Sequence, residues 1–116
     1  MKIKYKRFNE ILYAAQKQPD LQLFLAEYGL PEWIIDEITP DENEAVGLIT
    51  NIHHVVHLTP KELITEARLN QTKFAARFNI PLRTVQDWCG ERRKMPNYLK
   101  FMAAEILDML NVKIVF

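Results

Sequence analysis

From Leu69 to Trp88 the chain reads L-N-Q-T-K-F-A-A-R-F-N-I-P-L-R-T-V-Q-D-W, two short stretches of helical periodicity separated by Asn79-Ile80-Pro81. Phe74, Ala75 and Phe78 share one face of the first stretch, and Val85 and Trp88 repeat the inward spacing on the second. Ala75 is small where two helices must cross closely. Asn79 enters the left-handed region at little cost, so it can close the first helix and turn the chain sharply. Ile80 then plugs the corner. Pro81 has φ preset for a helix start, which makes it the expected first residue of the second helix. Leu82, Arg83, Thr84, Gln86 and Asp87 are thereby expected to project away from the Val85 and Trp88 face.

The formal net charge of zero conceals a division. Residues 1–58 carry five Lys or Arg against nine Asp or Glu, whereas residues 59–116 carry ten against six. Arg68 to Lys94 alone holds seven basic and two acidic residues, a phosphate-seeking surface on a neutral chain. A two-helix corner carrying this charge reads as a DNA-binding helix-turn-helix. The acidic half is expected to face away from DNA.

Two phrases share one helix-start signal. Thr39-Pro40-Asp41-Glu42 and Thr59-Pro60-Lys61-Glu62 each place Thr at N-cap, Pro next and Glu at N3, the pattern of a capping box. They predict helices over about 40–57 and 60–68, followed by the helical pair and a last helix over about 97–110. That last helix is expected to bury Leu99, Met102, Ala103, Ile106 and Leu110. Upstream, Phe8, Ile11, Leu12 and Ala15 have helical spacing, and further helices are expected over 21–28 and 32–38, separated by Gly29-Leu30-Pro31. Lys2–Lys6 and Val112–Phe116 have the pattern of short strands. Pairing with each other would join the two halves, and pairing across a two-fold axis would make a dimer. Periodicity does not choose.

The fold class expected is therefore mostly α: a helical, acidic unit over 1–58 for dimerisation or partner binding, then a DNA-binding domain over 59–116, with short terminal strands. No apolar run approaches the roughly 18 residues that span a bilayer, and the basic start is not followed by an apolar signal core, so a cytoplasmic protein without membrane contact is expected. Cys89 is the only cysteine, which excludes an internal disulfide and a cysteine-rich zinc site. It is expected to be a small, half-buried residue. His53, His54 and His57 have spacings that bring imidazoles together on a helix, but the stripe of Ala45, Leu48, Ile49, Ile52, Val55 and Val56 lies largely elsewhere, so they are assigned to a polar face. No metal and no cofactor is expected. With no nucleophile-base pair, Gly-rich phosphate loop or paired carboxylates in a motif, neither is an enzyme.

The segment from Thr59 to about Asn111 resembles the phage-repressor and Cro-like helix-turn-helix family, also described as lambda-repressor-like or XRE-type. The residues that carry the resemblance are the L-N-Q opening, the A-x-x-x-N-I turn with Asn79 in the common Gly position, and P-x-R-T-x-Q-x-W followed eight residues later by Pro96. It covers a little under half the chain and leaves residues 1–58 without a counterpart. It implies a five-helix unit whose third helix enters the major groove, with Leu82, Arg83, Thr84 and Asp87 facing bases and Gln86 at the margin. Arg83 is suited to guanine O6 and N7; Leu82 and the Thr84 methyl suit a thymine methyl; Asp87 suits cytosine N4 or the orientation of Arg83.

The resemblance also makes Gln71 a phosphate anchor, supported by the backbone beside Asn70 and by Lys73, with Arg92, Arg93, Lys94, Asn97 and Tyr98 as a second phosphate clamp. One departure stands out: the family commonly has Gly three residues after the Trp, where this chain has Glu91. The implied partners are double-stranded operator DNA and a second copy of the chain, and the implied activity is transcriptional repression. An alternative is an antitoxin or phage-type inhibitor whose residues 1–58 bind a protein while the helix-turn-helix autoregulates its operon. An RNA-binding helical domain is disfavoured because few aromatics lie among the basic residues to stack bases.

Overall fold

The computed structural model describes all residues, 1–116, as eight helices and two short strands. In chain order these are β1 (Lys2–Lys4), α1 (Tyr5–Lys17), α2 (Leu21–Tyr28), α3 (Glu32–Glu37), α4 (Glu42–His57), α5 (Pro60–Glu66), α6 (Gln71–Phe78), α7 (Leu82–Cys89), α8 (Asn97–Ile106) and β2 (Lys113–Val115). The fold is mostly α with a two-stranded terminal sheet. No helix is long and apolar enough to cross a membrane.

Helix α4 is the axis of the fold. It buries Ala45, Leu48, Ile49, Ile52 and Val55, and α1, α2, α3 and α8 pack around it. Each large aliphatic side chain withdrawn completely from water contributes about 1.5–3 kcal/mol, so this stripe outweighs the few tenths that separate one helix propensity from another. Phe8 from α1 meets Phe101 from α8 edge to face, with ring centroids 5.0 Å apart. A single apolar core passes from Phe8 and Ile11 through α4 to Phe74, Val85 and Trp88, so residues 1–58 and 59–116 share one interior.

The terminal strands pair with each other, in parallel, with Lys2 opposite Lys113, Ile3 opposite Ile114 and Lys4 opposite Val115. Ile3 and Ile114 point inward and are buried, while their neighbours face solvent. The Ile114 N–H donates to Glu105 Oε1 at 2.6 Å, which occupies a donor that two short strands leave over.

Several local expectations are corrected. The Thr59 capping box forms, with Glu62 N–H to Thr59 Oγ1 at 3.1 Å and Thr59 N–H to Glu62 Oε1 at 2.9 Å. Its counterpart at Thr39 does not. Helix α4 starts two residues later, because the Asp41 carboxylate accepts from both Asn43 (2.8 Å) and Glu44 (3.2 Å), and an ionised acceptor outcompetes a hydroxyl. Thr39 is buried and donates instead to Glu44 Oε2 at 2.7 Å.

Helix α8 ends at Ile106 rather than at Leu110. Asp108 is left-handed (φ 58°), and the Met109 and Asp108 N–H groups bond back to Ala104 and Glu105 (2.8 and 3.1 Å). Stopping there lets Leu110, Val112 and Ile114 enter the core, the chain turning at left-handed Asn111 (φ 55°) before β2. The buried face of α8 also differs: Lys100, Phe101, Ala103 and Ala104 turn inward, and Met102 and Ile106 turn out. Ala103 and Ala104 are small enough to allow close approach to α4, which decides the rotation against the longer side chains.

The histidines are not a common polar face. His53 is 5% exposed, stacks on Phe24 (centroids 5.1 Å) and lies with Nε2 2.7 Å from the Gln18 carbonyl. His57 Nε2 lies 2.8 Å from the Ala15 carbonyl. A carbonyl can only accept, so both rings donate N–H to carbonyls at the end of α1, of which that of Ala15 also accepts the Gln18 N–H at 3.4 Å. His54 and His57 are both exposed, and His54 Nε2 lies 2.8 Å from Glu66 Oε1.

Candidate nucleic-acid interface

Asn70 caps α6 by accepting from the Lys73 N–H at 2.8 Å. Its amide oxygen is therefore committed to the helix, while Gln71 is half-buried at the first position and Lys73 is exposed. Phe74 and Ala75 are buried and Phe78 half-buried, with the Phe74 and Phe78 rings 4.8 Å apart. Asn79 is left-handed (φ 52°, ψ 46°). The Ile80 N–H reaches the Ala75 carbonyl (2.9 Å) and the Asn79 N–H reaches Ala76 (3.3 Å), the paired bonds of a Schellman turn. The corner read from Asn79-Ile80-Pro81 is present.

Pro81 sits one place earlier than expected, as the N-cap of α7 with ψ 133°, so Leu82 is the first helical residue. No side chain caps this end. Val85 is fully buried and Trp88 is 7% exposed, which rotates Leu82, Arg83 and Gln86 to the surface. Thr84 is half-buried beside them.

Asp87 behaves differently from its neighbours. Its side chain is only 14% exposed, with Oδ1 3.4 Å from Arg83 Nε and 3.0 Å from Arg92 Nε. Its own carbonyl accepts from the Arg92 and Arg93 N–H groups at 2.9 and 3.3 Å. Oδ1 thus lies within ion-pair distance of both guanidinium groups.

The turn after α7 explains the displaced glycine. Glu91, not Gly90, adopts the left-handed conformation (φ 60°), and Gly90 has φ −89°. A left-handed residue thus stands three places after the Trp, where the resembled family has Gly, and here it carries a side chain. Gly90 has its own reason: a Cβ there would lie 3.2 Å from the Gln86 carbonyl oxygen.

Arg92, Arg93 and Lys94 are exposed and line a cleft with Asn97, whereas Tyr98, also exposed, lies outside it. The floor of that cleft contains a residue the sequence did not single out. Lys100 is buried, with Nζ 2.8 Å from the Leu58 carbonyl and 3.3 Å from that of Val56, so it closes the end of α4 from the opposite half of the chain. Burial holds its pKa below the ordinary value; nearby Lys94 lowers it further and Glu62 opposes the shift. A different expected inner face for α8 concealed it. Burial likewise pushes the half-buried Cys89 thiol up, against the thiolate, with Lys61 opposing the shift.

The expected residues thus fall into three groups. Leu82, Arg83, Thr84 and Gln86 share the outer side of α7, Asp87 links Arg83 to the loop that bears Arg93 and Lys94, and Asn70, Gln71 and Lys73 stand together at the start of α6. No protein-family model matches this chain, and no curated protein or solved structure matches it either.

Proposed function

We propose that the chain is a sequence-specific, double-stranded DNA-binding transcriptional regulator of the lambda-repressor-like kind. The observation that carries this reading is the α6–α7 corner: Val85 and Trp88 anchor α7 inward, which leaves Leu82, Arg83 and Gln86 outward beside the exposed Arg92-Arg93-Lys94 loop. Helix α7 enters the major groove, Arg83 reads a guanine, and Leu82 with the Thr84 methyl contacts a thymine methyl. Gln71, Lys73, Arg92, Arg93 and Lys94 hold phosphates and set the register. Two copies act on a roughly palindromic operator in the cytoplasm, and promoter occlusion represses transcription.

The deciding experiment is selection of bound sites from a random duplex pool. Enrichment of a two-fold-related sequence is expected; a pool that stays random through successive rounds overturns sequence-specific binding. A second reading, in which residues 1–58 grip a protein partner while the helix-turn-helix regulates its own operon, is favoured by exposed Leu23 and Val46 on the acidic half. A toxin-like gene adjacent to the coding sequence would support it.

A further inference from the structure

Helix α8 shows solvent an apolar stripe at a spacing of four residues: Tyr98 (63% exposed), Met102 (41%) and Ile106 (52%). The stripe continues onto the terminal segments. Phe116, 70% exposed, lies 5.2 Å from the Tyr5 ring, shares one cavity with Tyr5 and Tyr98, and lines a second with Ile106 and Met1. Such contiguous exposure is unlike the scattered apolar residues of an ordinary surface.

We infer that this face is where a second copy of the chain docks, with the two α8 helices antiparallel and crossing at Met102. The inference deepens the operator-binding reading, on which it rests for its use, since two half-sites require two copies. Crossing at Met102 sets Ile106 of each copy over Tyr98 of its mate, so the stripe is complementary to itself, as a two-fold interface must be.

The area is adequate. At about 150–250 Å² per aromatic side chain, the exposed parts of Tyr5, Tyr98 and Phe116 supply roughly 300 Å², and the aliphatic members add a comparable amount. A specific interface takes about 800 Å² from each partner, which flanking polar residues complete.

The test is sedimentation of the full-length chain and of Met102→Lys and Ile106→Lys, each also followed by thermal unfolding. Both side chains face solvent, so both variants should unfold as the parent does. The parent is expected to sediment as a dimer at micromolar concentration and each variant as a monomer. A parent that stays monomeric, or variants that stay dimeric, overturn the inference.

Binding of each protein to duplex selected by the parent separates this from the DNA reading. Loss of dimer-level affinity by about 100-fold or more, with weak salt-sensitive binding retained, is expected of the variants. A parent that dimerises through this face yet ignores duplex DNA would sink the operator reading and leave the interface standing.

Discussion

Asp87 Oδ1 stands 3.0 Å from Arg92 Nε while the Asp87 carbonyl accepts the Arg92 N–H at 2.9 Å, so one residue of α7 holds the next loop by both its side chain and its backbone. Arg83 completes the arrangement from the preceding turn of the helix, 3.4 Å from the same carboxylate oxygen. The pairs with Arg83 and Arg92 are largely solvent-exposed on the arginine side, so they contribute little stability. Their consequence is orientation. Asp87→Asn should therefore leave thermal stability nearly unchanged, strengthen binding to random duplex by removing a negative charge, and reduce discrimination for the selected site. Competition titrations with both duplexes measure this, and unchanged discrimination would show that Asp87 does not position Arg83.

Arg83 and the following loop should separate base reading from phosphate binding. Arg83→Ala is expected to cost about 1–3 kcal/mol per half-site and relax preference at one guanine. Arg93→Ala or Lys94→Ala should weaken all duplexes alike and reduce the salt slope by about 1 for each phosphate no longer neutralised. Affinities measured across a salt series distinguish the two patterns. A salt-independent parent would contradict both assignments.

Trp88 belongs to stability rather than recognition. It is 7% exposed and packs α7 onto the core, so Trp88→Ala should destabilise the fold by about 3–5 kcal/mol. Gln86→Ala, on the exposed face, should cost no more than about 0.5 kcal/mol. Urea unfolding of the pair checks the rotation of α7; equal effects would mean that the helix is turned otherwise.

Glu91 at φ 60° is a left-handed residue with a Cβ, a conformation glycine adopts without that penalty. Glu91→Gly is expected to stabilise by about 0.5–1 kcal/mol, read as a rise in Tm; an unchanged or lower Tm would show that the left-handed turn carries no such penalty.

Lys100 should leave a signature in alkaline stability. Burial holds its folded-state pKa below the ordinary 10.5, so the unfolded chain binds the proton more readily and stability rises with pH through that interval. Lys100→Met should flatten this rise. At neutral pH it should cost about 1–3 kcal/mol by leaving the buried Leu58 carbonyl without its donor. Denaturant unfolding from pH 7 toward pH 10.5 follows both effects.

Signals with local causes were legible in the sequence. Asn79 has few conformations open to it after Phe78 and before Ile80-Pro81, and Thr59-Pro60-Lys61-Glu62 satisfies its own helix start, so both signals survive whatever packs around them. The same pattern failed at Thr39 because a stronger acceptor, Asp41, lay two residues away. Two further left-handed helix ends, at Arg68 and Glu91, carry no residue type that announces them, whereas Asp108 is of a type that enters this conformation readily. They exist because the packing of the adjoining helices demands a sharp stop, and tertiary contacts offset the local strain.

By itself the sequence determined the elements whose causes are local: the periodicity of α1 and α4, the corner between α6 and α7, and the inward set of Val85 and Trp88. Tertiary structure alone decided the partners. It paired β1 with β2 across the length of the chain, turned Met102 and Ile106 outward so that Ala103 and Ala104 could meet α4, and sent His53, His57 and Lys100 to carbonyls 35, 42 and 42 residues away. The reason is physical. A helix start or a turn is settled among residues within a few bonds of one another, whereas an unpaired carbonyl at a helix end takes whichever donor the fold brings to it.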